Sequence, residues 1–119
     1  MFAFAGDTSL TYISSLCTIV ETPTFVGDVD RFWSPDERME FFQWIAANPE
    51  AGIVIPDSAG CRKIRWKCGG KGKRGGVRVI YFNRLQFSEI WMLLIYPKSM
   101  KDDIPREILR LIRKEIEHG

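Results

Sequence analysis

Arg62-Lys63-Ile64-Arg65-Trp66-Lys67-Cys68, then Gly69-Gly70-Lys71-Gly72-Lys73-Arg74-Gly75-Gly76, then Val77-Arg78-Val79-Ile80-Tyr81-Phe82-Asn83-Arg84: this unbroken run sets apolar–basic alternation on either side of a glycine-rich basic loop. Side chains two apart in a strand share a face, so the alternation predicts two strands joined as a hairpin. In the first strand Arg62, Ile64, Trp66 and Cys68 fall to one side and Lys63, Arg65 and Lys67 to the other, with successive cations about 7 Å apart. From Ala59 to Ser88 the chain has nine Lys and Arg residues and no Asp or Glu. Like charges in a row repel unless an anion or solvent answers them. Positive charge gathered on one hairpin is the footprint of a face that meets a polyanion.

Downstream of the hairpin, Ser88 to Tyr96 is apolar on both faces, which predicts a central strand, and Pro97 ends it. Asp102-Asp103-Ile104-Pro105 then starts a helix running to Glu117, with Ile104, Ile108, Leu111, Ile112 and Ile116 on one stripe. Upstream, Ile53 to Gly60 is a turn-rich passage containing Pro56-Asp57. Ser34-Pro35-Asp36-Glu37 is a helix start: Ser34 caps, Pro35 takes the first helical position and Glu37 reaches back to the cap amide. That helix runs to about Asn48 with Met39, Phe42, Ile45 and Ala46 on one face, and Pro49-Glu50-Ala51-Gly52 stops it. Phe25, Val29 and Phe32, at i, i+4 and i+7, mark a shorter helix, and Cys17 to Thr22 is a short strand that Pro23 ends. Residues 1–16 show no clean period and read as an N-terminal extension, mobile or loosely packed, before a single domain over 17–119. The expected fold is α+β: an antiparallel sheet of about four strands, two N-terminal helices packed on one face, and a C-terminal helix.

The chain has 119 residues, enough for one core and too few for two ordinary ones. Its net charge of +2 hides a strong asymmetry: residues 1–57 hold two basic and nine acidic residues, residues 58–88 nine basic and none acidic, and residues 89–119 six of each. Such a chain is suited to binding nucleic acid with one face only. The three cysteines, Cys17, Cys61 and Cys68, form no CxxC pair and read as free thiols of a reducing cytosol. There is no apolar run long enough to span a membrane, and the first basic residue is Arg31, so neither a membrane helix nor a secretory signal is expected.

The chemistry open to this chain is narrow. His118 is the sole histidine, so no histidine-pair nuclease and no Ser-His or Cys-His triad can be assembled, and no metal site or other cofactor is expected. Gly70-Lys71-Gly72-Lys73 lacks the spacing of a phosphate loop and joins strand to strand, not strand to helix. The carboxylates Asp28, Asp30, Asp36, Glu37, Glu40 and Glu50 are spread over helix surfaces and turns. An active centre on the hairpin must work with Lys, Arg and Tyr. RNA suits such a centre because its own 2′-hydroxyl is the nucleophile; the protein has only to hold the strand in line, take a proton and neutralise the charge building on phosphorus. Lys63, flanked by Arg62 and Arg65, is the candidate base, since neighbouring cations disfavour its protonated form, and Arg78 is the candidate guanidinium for the phosphate oxygens. The same residues would equally suit a surface that binds RNA without cutting it.

Gly60 to Trp66, the loop Lys71 to Gly76, Val77 to Phe82 and Tyr96-Pro97-Lys98 resemble the RelE/HigB toxins of bacterial type II toxin–antitoxin systems, in the RelE/ParE superfamily. Val20-Glu21-Thr22-Pro23-Thr24-Phe25 and Asn48-Pro49-Glu50-Ala51-Gly52 resemble the HigB branch, and the resemblance extends from Cys17 to Glu117. It implies a cytoplasmic, metal-independent endoribonuclease that enters the ribosomal A site beside 16S rRNA and cuts translated mRNA. The products would be a 2′,3′-cyclic phosphate or 3′-phosphate and a 5′-hydroxyl. It also implies neutralisation by a HigA-like helix-turn-helix antitoxin. Carried onto this sequence, the catalytic set is Lys63, Arg65, Arg78 and Lys98, the last as proton donor; Arg62, Lys67, Lys71, Lys73, Arg74, Tyr81 and Arg84 are the RNA-binding set. The sequence departs from the family pattern after Tyr96, where Ser99, Met100 and Lys101 follow and the later tyrosine of RelE has no counterpart. Two other readings of the same resemblance are a ParE-like gyrase inhibitor and a non-catalytic relative that binds RNA or antitoxin.

Overall fold

The computed structural model describes residues 2–3, 17–69, 76–100 and 106–118. The basic hairpin forms as the alternation requires: β4 (Arg62–Trp66) pairs antiparallel with β5 (Val77–Arg84), with Ile64 opposite Val79 and Trp66 opposite Val77. A single 3-10 turn over Leu85–Phe87, closed by Ser88 at φ 53°, returns the chain into β6 (Glu89–Pro97). This strand is apolar on both faces because it is inside the sheet: β5 lies antiparallel along one edge, and β2 (Thr18–Glu21) lies parallel along the other. A register shift between Ile80 and Tyr81 leaves Leu93 as an extra residue on β6.

The sheet therefore differs from the expected antiparallel one. It is mixed and, among the described residues, has six strands in the order β1-β2-β6-β5-β4-β3, with β1 spanning Phe2–Ala3 and β3 spanning Ile53–Val54. A parallel pair requires a long crossover, and the two helices between β2 and the hairpin supply it. Residues 2 and 3 of the N-terminal segment run parallel to β2, with Phe2 opposite Ile19; residues 4–16 lie outside the described residues.

Helix α1 (Pro23–Val29) starts on Thr22, whose hydroxyl accepts from the Phe25 N–H, and α2 (Pro35–Ala47) starts on the Ser34–Glu37 capping box that the sequence predicts. Both pack on one face of the sheet, where Phe25, Phe41, Phe42 and Ile45 meet Val77, Val79 and Met92. Met39 is exposed and Phe41 is buried in its place, since two residues along a helix turn a side chain about 200° away. The third helix, α3 (Arg106–His118), lies on the opposite face, where Leu109 packs with Cys61, Ile80, Phe82, Leu93 and Tyr96. Helices therefore cover both faces of the sheet. Within α3 Ile112 packs on this core as the expected stripe requires, whereas Leu109 is buried and Leu111 is 61% exposed; the expected start at 102–105 lies outside the described residues.

Candidate nucleic-acid interface

Register decides which cations share a face. Arg65 stands directly opposite Arg78, and Lys63 directly opposite Ile80, a residue buried under α3. Directly opposed residues lie on the same side of a sheet, with Cβ atoms about 5 Å apart, so Lys63, Arg65 and Arg78 form one cluster on the α3 face. On β6 the residue opposite Arg78 is Tyr96, which extends this row to a third strand. Two residues further, the Lys98 N–H donates to the Gly76 carbonyl at 3.1 Å and holds that backbone at the Arg78 end of the sheet.

Among the described residues none of Lys63, Arg65, Arg78 or Lys98 has a carboxylate partner. Other cations of the chain do: Arg38 pairs with Glu21 and Asp30, and Lys67 Nζ lies 2.8 Å from Glu40 Oε2. Arg78 Nε is buried without a hydrogen-bond partner. An unmet buried donor costs about 1–3 kcal/mol, a cost removed when an acceptor reaches it. Two opposed guanidiniums, a nearby ammonium and an unmet N–H together form a site for an oxyanion.

The hairpin's geometry depends on Gly76. Its φ is 75°, and a Cβ there would overlap the Trp66 carbonyl oxygen, so only glycine lets β5 begin this close to the end of β4. The first arm is fixed by the α1–α2 junction. Trp33 Nε1 donates to the Lys67 carbonyl at 3.0 Å, Cys68 Sγ to the Phe32 carbonyl at 2.8 Å, and the Gly69 N–H to Glu37 Oε2 at 2.7 Å. Glu37 thus serves the helix cap and the hairpin together. The N–H groups of Ser34 and then Gly69 hold its carboxyl below the usual carboxylate range.

Several residues assigned to RNA lie elsewhere. Tyr81 is fully buried on the α1–α2 face; its hydroxyl donates to the Pro49 carbonyl at 2.9 Å and accepts from the Gly52 N–H at 2.8 Å, and burial pushes the phenol above its ordinary value. Arg62 turns to the side away from Lys63, where its guanidinium donates to the carbonyls of Glu50 and Gly52 at 3.1 and 2.7 Å. The cations facing Lys63 are therefore Arg65 and Arg78. Lys67 lies one residue beyond β4, where strand alternation no longer applies, and turns toward Glu40 on α2. Arg84 shares the face of Arg78 but is six residues along the strand, about 20 Å away. There it stacks over Phe87 at 4.4 Å and, with Phe82, Gln86 and Arg113, lines a cavity of about 500 Å³. Lys71, Lys73 and Arg74 lie outside the described residues. Sequence reasoning missed the position of Tyr96 opposite Arg78 and the grip of Glu37 on Gly69. The first needed the β5–β6 register; the second had no local signal.

Among the described residues no group of three or more His, Cys, Asp or Glu could hold a metal ion, and no helix is long and apolar enough to cross a membrane. No protein-family model matches the chain. Its fold is similar to that of a double arginine-to-alanine mutant of the E. coli toxin RelE in the free state, with a TM-score of 0.58 over 82% of this chain and 97% of that one. The fold is RelE-like. Sequence identity over the match is 11%, so the similarity speaks for the scaffold alone, and the chemistry of this RelE-like sheet is argued from its own side chains.

Proposed function

We propose that the chain is a metal-independent endoribonuclease toxin that cuts translated mRNA on the ribosome, with Lys63, Arg65, Arg78 and Lys98 as its working residues. The observation that carries this reading is the cation cluster on the α3 face, without a carboxylate partner among the described residues and including the buried, unpartnered Nε of Arg78. In the reaction the 2′-oxygen bonds to the adjacent phosphorus as Lys63 takes its proton. The bond from phosphorus to the 5′-oxygen breaks, and Lys98 protonates the departing oxygen, leaving a cyclic phosphate and a 5′-hydroxyl. Arg65 and Arg78 neutralise the added charge on the phosphorane, where preorganised donors act most strongly. Among the described residues no histidine or carboxylate pairs with this cluster, and positioning by the ribosome supplies the in-line geometry. The toxin domain of this proposal is 17–119, with 1–16 as an extension; the HigB branch and a HigA-like helix-turn-helix antitoxin follow from the resemblance of the sequence.

Primer extension on mRNA in a translating extract tests it. Wild type should create new 5′ ends, Arg78→Ala should lower their rate about 100-fold or more, and Arg78→Lys should recover only part of that. Equal cutting by wild type and Arg78→Ala refutes the role of the cluster. Loss of gyrase supercoiling in a parallel assay would point to the ParE-like reading, and association with polysomes without new ends to a non-catalytic binder.

A further inference from the structure

β3 pairs with β4 so that Ile53 stands directly opposite Lys63. Ile53 therefore lies on the face that presents Lys63, Arg65 and Arg78. At 76% exposure it is the most exposed large apolar side chain among the described residues, and it belongs to neither core cluster. α3 covers the inner part of this face, burying Ile80, Leu93 and Tyr96. Toward the β3 edge, no core cluster of described residues includes Ile53, and its side chain stays exposed. A single exposed isoleucine is ordinary. One held in strand register beside cations that have no carboxylate partner among the described residues suits a surface that takes a phosphate on its charges and packs the base against its apolar side chain. Two strand spacings across and two residues along place Ile53 about 12 Å from Arg78, within reach of a nucleobase whose phosphate lies on the cations.

We infer that Ile53 is an apolar seat for the nucleobase beside the phosphodiester held by Lys63, Arg65 and Arg78, an assignment that rests on the proposed RNA site and adds a residue to it. Its side chain has no donor or acceptor, so it contributes affinity and placement of the strand and does not read base identity. β3 is clear of the packed core, so substitution at Ile53 leaves the fold intact.

The test is equilibrium binding of a fluorescein-labelled single-stranded RNA oligonucleotide, followed by anisotropy across a salt series. This readout requires no cleavage, so it stands apart from the Arg78 experiment. Ile53→Ala should weaken binding about fivefold and Ile53→Phe should restore or tighten it, both with the wild-type slope of log K against log salt, because no phosphate contact is lost. Arg65→Gln should weaken binding and reduce that slope by about 0.7, the signature of one lost phosphate contact on a single strand. Thermal midpoints of both Ile53 variants should match wild type. Unchanged affinity in Ile53→Ala, or a slope that falls with it, overturns the assignment, whether or not the wild type cuts RNA. Absence of cutting with these affinities as expected sinks the nuclease reading and leaves Ile53 in a binding site.

Discussion

Arg65 and Arg78 confront each other on paired strands with no carboxylate partner among the described residues, an arrangement that destabilises a sheet by up to about 1 kcal/mol. Tyr81, three residues on from Arg78, makes the opposite contribution: its hydroxyl satisfies both the Pro49 carbonyl and the Gly52 N–H inside the protein. Tyr81→Phe should strand the Gly52 N–H, while Asn83 Nδ2 still donates to the Pro49 carbonyl, and lower unfolding stability by about 1–2 kcal/mol, measurable by urea denaturation, with no change in RNA affinity. A variant as stable as wild type would count against the buried role. The difference between these residues was legible in principle. An odd offset in a strand puts two side chains on opposite faces, so period two alone separates Tyr81 from Arg78, and Arg62 from Lys63. The RNA-binding role given to Tyr81 followed the motif against that period. Lys67 is the converse case: parity placed it with Lys63 and Arg65, but the strand stops at Trp66 and the rule stops with it.

At the level of elements, the start of α2 and the hairpin act as one unit through Glu37. Its folded-state pKa is depressed, so the stability it contributes is present above the ordinary carboxylate pKa and is lost as pH falls through the depressed value. The thermal midpoint of wild type should therefore exceed that of Glu37→Gln at pH 7, and the gap should close as the pH is lowered toward 3. A gap independent of pH would show that the charge on Glu37 is irrelevant. The Ser34-to-Glu37 start was readable because a capping box is local in sequence. The two-residue strands β1 and β3 were not, since two residues show no period, and Ile53 and Val54 sat inside a passage rich in turn formers. Pairing of β2 with β6 was unreadable for a different reason: it joins residues some seventy positions apart, and neither strand alone specifies its neighbour's direction.

Over the whole molecule, the charge segregation seen in the sequence survives as geometry, since the acid-rich first half supplies α1 and α2 on one face while the unpaired cations face the other way. Covering by α3 was the part the sequence did not show: its apolar stripe announced a buried face without saying against which side of the sheet. β6 pairs with both β5 and β2 and packs on α1, so β2 does not join the hairpin until this strand exists. A chain ending at Phe87 should show no cooperative thermal transition by circular dichroism, and a sharp one would contradict this order of assembly. Along the chain this central strand follows α1, α2 and the hairpin. A premature stop anywhere before that strand yields a product in which β2 and the hairpin are not joined, so its cations lack the completed sheet that holds them in register.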